Sequence, residues 1–384
     1  MGKKVLIVTK YFVPHSNVDT NAVYDLITDL LKESSDIDIH VVTSASNYKT
    51  EIKLRDFDEE VLNKITIHKV RSTQVAATSR IRKLLFGLIE GYKLISTARR
   101  MEIDHVICLT NPPLIAAWAV NLLKDKKLIY WSFDLFPDAF VADGLIRKES
   151  FIYRLIDKWT YQSSPYAIMA LGSEQFNYLT GKFKNQKIRQ FLLPCGIHNE
   201  PKVSEIPKWV DEKKINIAYV GNIGKAHSAD FLKNFITAVE KKSHIHFLMT
   251  IYGFYADQIK EYVERNNIEN VQFVKSVSQG EMAYIDVHLV SLNETWTHIS
   301  VPSKAVTAVC SGSALWYNGS GDSDIWKMFR DSSFYSENDV NSIEQTLKNV
   351  TVESVTEKRN HSKRKALELQ KMKSDTIKQL LNSF

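Results

Sequence analysis

Tyr219-Val220-Gly221-Asn222-Ile223-Gly224-Lys225 reads as a strand that runs into a glycine turn just before a helix. Further on, Val301-Pro302-Ser303-Lys304 leads into an apolar helix that stops at Cys310-Ser311-Gly312-Ser313. Each stretch puts small residues and one lysine where a strand or loop meets a helix N-terminus. That end of a helix carries unpaired N–H groups and partial positive charge, so it favours phosphate. Two such places in one α/β region suit a pyrophosphate held between them, the group that a nucleotide-sugar carries.

Working outward, the βα series that opens at 215–220 continues with a helix from Ser228 and a strand at 247–252. A helix at Ala256–Arg265 and strands at 271–274 and 287–292 follow. The first half alternates in the same way. A short apolar strand at 4–9, of the kind buried in a parallel sheet, is followed by a polar loop and an amphipathic helix to about Lys32. Strands are expected at 37–43, 65–70, 105–110, 127–131 and 166–171. Helices are expected at Arg80–Arg100, 114–124, 151–163 and from Ser173. Repeated βα units make two doubly wound parallel sheets the economical reading. Pro194-Cys195-Gly196, Pro201 and Pro207, with charged residues between them, mark a linker with little to bury. The expected organisation is a first domain over 1–200, a second over 212–356 and a charged helical tail over 357–384. Ligands of open α/β sheets bind beyond the carboxyl ends of the strands.

At 384 residues the chain is too long for one ordinary core, and two domains of about 190 residues are natural. With 44% apolar and 24% charged residues it reads as globular. Cys108, Cys195 and Cys310 are widely spaced, which favours free thiols over a disulfide framework. No leader-like segment and no apolar run of about 18 residues is present, so a cytoplasmic location is expected. The net charge of +6 fits an anionic substrate or membrane. No nucleic-acid-binding spacing appears, so nucleic acid is not expected as a partner.

Several loops, in order, resemble those of the two-Rossmann-domain (GT-B) glycosyltransferases, specifically the family 4-like enzymes that build bacterial surface polysaccharides. They are Thr9-Lys10-Tyr11-Phe12-Val13-Pro14, Val41-Val42-Thr43-Ser44, Thr110-Asn111-Pro112-Pro113, and Asp134-Leu135-Phe136-Pro137-Asp138. Further on come Leu171-Gly172-Ser173, Leu193-Pro194-Cys195-Gly196-Ile197, Gly221-Asn222-Ile223-Gly224-Lys225-Ala226 and Pro302-Ser303-Lys304. The resemblance spans most of the chain. It implies a GT-B fold with a donor-binding second domain and an acceptor-binding first domain. It also implies sugar transfer from a nucleotide-sugar, UDP- or dTDP-linked, to a glycan or polyprenyl-linked acceptor in cell-surface polysaccharide synthesis. Neither a metal nor a resident cofactor is expected, and the resemblance implies retention of anomeric configuration. Two departures stand out: the first loop, Ser16-Asn17-Val18-Asp19-Thr20-Asn21, lacks the family's glycines, and Thr307 stands where the family places a ribose-binding glutamate. They motivate a second reading, a non-catalytic GT-B partner or chaperone of an active enzyme.

The donor-binding candidates are Gly221, Asn222, Gly224, Lys225, Ser303, Lys304 and Thr307. Against them stands the ordinary use of glycine to end strands and of lysine as solvated surface. Asp134 is the candidate catalytic group, with loop bracing as its competitor. His15, Asn17 and Asp19 are acceptor-side candidates. His227 could reach phosphate or merely precede a cap at Ser228. Asp322-Ser323-Asp324 looks like a metal pair, but the preceding Gly319-Ser320-Gly321 reads as loop, and the histidines lack ligand spacing. The helix Arg80–Arg100 surrounds Leu84, Leu85, Phe86, Leu88, Ile89, Leu94 and Ile95 with basic residues. It suits either an anionic membrane surface or packing on the first sheet.

Overall fold

The computed structural model describes residues 2–14, 17–45, 56–72, 80–184, 187–199 and 205–384. They form two compact units, one of residues 1–193 with 373–384, the other of 194–372.

The first unit holds β1 (Lys3–Val8), α1 (Val18–Glu33), β2 (Ile37–Ser44), α2 (Glu59–Asn63), β3 (Ile65–Val70), α3 (Arg80–Arg100) and β4 (His105–Leu109). It continues with α4 (Ile115–Leu122), β5 (Lys127–Ser132), α5 (Asp138–Ala142), α6 (Phe151–Tyr161), β6 (Ala167–Ala170), α7 (Ser173–Lys182) and β7 (Arg189–Leu192). The seven strands are parallel, in the order β3-β2-β1-β4-β5-β6-β7. Val5, Leu6, Ile7 and Val8 are all buried, because helices cover both faces of a parallel sheet. The order reverses direction between β1 and β4, and the carboxyl ends of those two strands frame the natural ligand crevice.

The second unit holds β8 (Ile215–Asn222), α8 (Ala229–Val239), β9 (Ile245–Tyr252), α9 (Ala256–Arg265), β10 (Val271–Phe273) and β11 (Val287–Ser291). It then has α10 (Ser303–Cys310), β12 (Ala314–Asn318), α11 (Asp324–Phe329), β13 (Ser333–Tyr335), α12 (Val340–Leu347) and α13 (Val352–Ser383). Its six parallel strands run β10-β9-β8-β11-β12-β13, with the reversal between β8 and β11. Trp316 is fully buried in this core, with the ring of Phe235 edge-on at 5.0 Å.

The charged tail is one helix, α13, and it starts before residue 357. Its first half belongs to the second unit, where Arg359 is paired with Asp286 and donates to the carbonyls of Gly312 and Ala283 (3.1 Å each). Its last turns belong to the first unit. There Thr376 donates to the carbonyl of Leu192 (2.9 Å) and Lys373 pairs with Asp29 (2.7 Å). Short β7, β12 and β13 were not among the expected strands. β7 and β13, of four and three residues, are too short to show a period, whereas β12 is as long as β4 and β11 and was missed although 314–317 is an apolar run. All three cysteines are buried thiols outside any disulfide. No helix of the described residues is long and apolar enough to cross a membrane.

Candidate functional site

In the second unit, the penultimate residue of β8 is Gly221 with φ +118°, a left-handed conformation that an L side chain rarely adopts. The next residue, Asn222, lays its side chain across Gly253. A Cβ on Gly253 would stand 1.9 Å from Asn222 Oδ1, so only glycine fits there. Backbone bonds Ile223 N–H to Tyr252 O (2.8 Å) and Tyr255 N–H to Ile223 O (3.1 Å) lock the turn to the loop after β9. Gly224 packs against the same Asn222 amide. The glycines are therefore what allows two loops to meet at the edge of the sheet.

Lys304, on the first turn of α10, folds back over this turn. Its ammonium donates to Tyr219 Oη (2.7 Å) and to the carbonyl of Asn222 (2.8 Å), and lies 4.2 Å from the centre of the Tyr219 ring. Burial without a carboxylate partner in that hydrogen-bond set lowers its pKa to about 7. Lys225 is half-buried with its ammonium 5.7 Å from the Phe254 ring. Its carbonyl accepts from Asn293 Nδ2 (2.9 Å), which ties the turn to the segment after β11.

His227 does not present a cation here. It is buried, Nδ1 donates to the carbonyl of Ser291 (2.6 Å), and desolvation, then the charge of Lys304, lowers its pKa to about 3. A carbonyl can only accept, so the proton sits on Nδ1 and the ring is neutral. Ser228 caps α8 by accepting from Phe231 N–H (3.0 Å), which occupies one of the donors that helix end could offer an anion.

Thr307 sits on α10 against Gly196, where φ is +94°. A Cβ on Gly196 would meet Thr307 Oγ1 at 2.6 Å and Ser303 O at 2.9 Å. His198 Nε2 lies 3.2 Å from the carbonyl of Thr307, in donor position, so the 194–199 loop is seated on this helix. Gly196→Ala is accordingly expected to lower stability by about 2–4 kcal/mol, combining a disfavoured φ with overpacking. A denaturation midpoint unchanged from wild type would show that the loop can yield.

In the first unit, Asn17 is the N-cap of α1 and accepts from Thr20 N–H (2.8 Å), a structural duty. Asp19 lies in the first turn of α1, and Asn111, just beyond β4, donates to its Oδ2 (2.8 Å). Burial raises the Asp19 pKa; the Asn111 bond and the charge of Lys10 offset this in part. Lys10, just beyond β1, pairs with Glu90 of α3 (3.0 Å), and Glu90 also accepts from Ser44 (2.5 Å) and Ser72 (3.1 Å). Burial pulls the Lys10 pKa down, but Tyr11 and Glu90 more than offset it and the net shift is upward. Lys10, Asp19, Asn111 and Glu90 thus form a polar floor at the β1/β4 reversal. His15 lies outside the described residues.

Asp134 is half-buried beyond the end of β5. The loop it opens is anchored by buried Asp138, which pairs with Lys182 and accepts from Tyr153 (3.0 Å) and Tyr178 (2.9 Å). Asp322 is paired with Lys327 at 3.8 Å, and Asp324 is the buried first residue of α11. Among the described residues no three metal-ligating side chains converge. Lys10, Asn111, Glu90, Asp138, Lys182, Tyr219 and Gly253 were not among the candidates, although Lys10, Asn111, Asp138 and Tyr219 lie in the quoted motifs. Lys10 and Asn111 did carry a signal, as polar residues two positions beyond the ends of apolar strands; Glu90 and Lys182 carried none, because they reach their partners only through the packing of helices.

Two parallel sheets whose order reverses between the first and fourth strands of each unit define a known architecture, and solved structures agree. WaaG, a glycosyltransferase involved in lipopolysaccharide biosynthesis, superposes with a TM-score of 0.66 at 12% identity, covering 97% of this chain and 99% of that one. The chain has the GT-B fold. Anabaena HepE, solved with UDP and glucose, shares this GT-B architecture at a TM-score of 0.64 and 12% identity over the whole of both chains. In sequence, the chain is 24% identical over 257 residues to the probable glycosyltransferase WbjE of Pseudomonas aeruginosa. The match covers 61% of this chain and 62% of that relative's length. No family model matches the chain. The expected GT-B fold is thus what the chain has, and its curated relative is a probable glycosyltransferase.

Proposed function

We propose that this protein is a glycosyltransferase that moves a sugar from a UDP- or dTDP-linked donor to a saccharide or polyprenyl-linked acceptor, in the cytoplasm, for a cell-surface polysaccharide. The observation that carries this is Lys304, held at the reversal of the second sheet over the Gly221–Gly224 turn. The likeness to WbjE and the UDP and glucose bound by HepE support the same reading. The relatives reported above carry enzyme names, and nothing among them favours a non-catalytic partner.

In this reading the second unit takes the donor. Lys304 and Lys225, with the glycine turn and Ser303, offset the charge that grows on the departing diphosphate, an electrostatic role. The tyrosine and carbonyl that now hold Lys304 are neutral acceptors, so a diphosphate oxygen can replace them at no cost in charge. Thr307 stands near the ribose, offering one hydroxyl in place of a carboxylate. The first unit takes the acceptor on the floor of Lys10, Asp19, Asn111 and Glu90, with Asp19 or Asp134 receiving the acceptor's hydroxyl proton.

Calorimetry with UDP and dTDP tests the donor site. Lys304→Ala removes a charge-assisted hydrogen bond, worth about 1.5–3 kcal/mol, or roughly 10- to 150-fold in affinity. Affinity equal to wild type removes Lys304 from the site. The depressed pKa adds a second expectation. Above about pH 7 Lys304 loses its proton in the free protein, while a bound diphosphate favours the cation. Binding at pH 8 should therefore take up a proton, and affinity should fall as pH rises, by at most about tenfold per unit. Calorimetry in buffers of different ionisation enthalpy reads the uptake directly, and a value of zero would contradict the assignment.

A further inference from the structure

Helix α6 is turned the wrong way round for a helix that packs on a sheet. Its aliphatic and aromatic residues Phe151, Ile152 and Leu155 are 78%, 57% and 57% exposed, while Tyr153, Thr160 and Tyr161 are buried. The inward side is explained by its polar tips. Tyr153 donates to Asp138 (3.0 Å) and Tyr161 to the carbonyl of Phe136 (3.0 Å), so the helix is held by hydrogen bonds and its apolar ridge is left outside.

A second exposed ridge lies nearby. On α3, Leu85, Ile89 and Tyr92 are exposed, whereas Leu94, Ile95 and Ala98 are buried. That helix thus turns one stripe to the core and leaves Leu85, Ile89 and Tyr92 outside; the side chains of residues 80–84, with Arg80, Arg82 and Lys83, lie outside the described residues. Tyr92 of α3 meets Trp118 of α4 at 5.1 Å, and Trp118 meets Trp159 of α6 at 4.8 Å. Trp118 also donates to the carbonyl of Leu88 (3.1 Å), and Asn121 of α4 to that of Trp159 (2.9 Å). The three helices therefore form one layer on one side of the first sheet, and both ridges belong to it.

The charges around α6 say what covers it. Arg147, Lys148, Arg154 and Lys158 are exposed, against the single exposed acid Glu149 in this stretch, and Asp157 is turned to Lys182 (2.9 Å). Apolar side chains ringed by cations match an anionic lipid surface, where hydrocarbon lies just beneath negative headgroups. A protein partner built to the same pattern would need its own acidic rim, and a second copy of this chain would set these cations against each other.

We propose that α6, with the Leu85, Ile89 and Tyr92 ridge of α3, docks the protein on an anionic bilayer, Phe151 and Leu155 entering below the headgroups. This shares with the function proposed above the idea of a lipid-borne acceptor, but the docking itself needs neither donor nor acceptor.

The full chain is sedimented with phosphatidylglycerol-containing vesicles and with neutral phosphatidylcholine vesicles. Binding is expected to the anionic vesicles, weakening with salt. Phe151→Glu with Leu155→Glu should weaken it by roughly ten- to a hundredfold, the range for withdrawing one or two large apolar side chains. Lys148→Gln, Arg154→Gln and Lys158→Gln together should flatten the salt dependence. Phe151→Trp, which keeps the apolar face, should bind and place a tryptophan whose emission shifts to the blue on adding anionic vesicles. Failure of the wild type to sediment at low salt would overturn the proposal, as would an unmoved emission. So would a concentration-dependent dimer abolished by the double glutamate variant, since the ridge would then belong to a second copy. UDP affinity, measured on the same samples, is expected to be unchanged by all these variants. Vesicle binding without UDP binding would sink the transferase reading alone, and UDP binding without vesicle binding would sink this one alone.

Discussion

Replacing Lys182 with Met is expected to destabilise the first unit by about 3–5 kcal/mol, the usual consequence of removing one partner from a buried ion pair. Lys182 reaches Asp138 and Asp157 (2.9 Å), and its ammonium lies 4.6 Å from the centre of the Tyr161 ring. Asp138 is 4% exposed and would be left with only the hydroxyls of Tyr153 and Tyr178. Burial, then the charge of Asp138, raises the pKa of both phenols, so they remain donors and cannot ionise to relieve the site. Because Asp138 anchors the loop that starts at Asp134, turnover should fall together with stability. Urea unfolding measures the first effect, and a loss below about 1 kcal/mol would mean that water replaces the ammonium. The double change Lys182→Met with Asp138→Leu should recover much of the loss, since the uncompensated charge is then gone.

Asp19→Asn is expected to reduce turnover by about 10²–10⁴-fold, the usual contribution of a positioned general base, with UDP affinity unchanged. Of the acceptor-side carboxylates, Asp19 stands at the β1/β4 reversal, and its raised pKa brings its proton affinity nearer to what base catalysis at neutral pH requires. The same shift has a stability consequence of definite sign. With a raised native pKa, the native state holds more protons than the unfolded chain between the two pKa values. Stability therefore falls as pH rises through that window, and at neutral pH the charged Asp19 is a burden on the fold. Asn at this position keeps the polar contact and removes the charge, so thermal stability at pH 7 should be unchanged or higher while activity falls. Asp134→Asn serves as the parallel measurement. Turnover within about threefold of wild type for Asp19→Asn, with a large loss for Asp134→Asn, would transfer the role to Asp134.

Much of this architecture was legible in the residues. Strands such as His105–Leu109 and the helix Arg80–Arg100 fall where apolar runs and periodicity put them, since a buried parallel strand must be largely apolar and a covering helix apolar on one stripe. The glycine turn at 221–224 and the lysine at 304 were also readable, because a helix start after a strand leaves few residue types that fit. What Lys304 touches was not readable. Tyr219 is an ordinary core-strand residue in sequence, and it meets Lys304 only because β8 and α10 are brought together at the reversal of the second sheet.

The same limit explains the other surprises. Asn17, an acceptor-side candidate, serves as the N-cap of α1, and His227, which could reach phosphate or merely precede the cap at Ser228, is buried and neutral before that cap, because local spacing cannot show which hydrogen-bond partner is nearest. Asp19 gains its raised pKa from burial, and burial is a property of the packed chain. Amphipathic order in α6 could be seen in the sequence, but its direction could not. The hydroxyls of Tyr153 and Tyr161 decide which side faces inward, and their partners Asp138 and Phe136 lie on a different element. Sequence alone determined most of the elements and the two-sheet architecture, since apolar period and glycine placement act within a few residues, though it left out β7, β12 and β13. The tertiary structure decided charge state, partner and facing, since those depend on groups that only folding brings within a few ångströms.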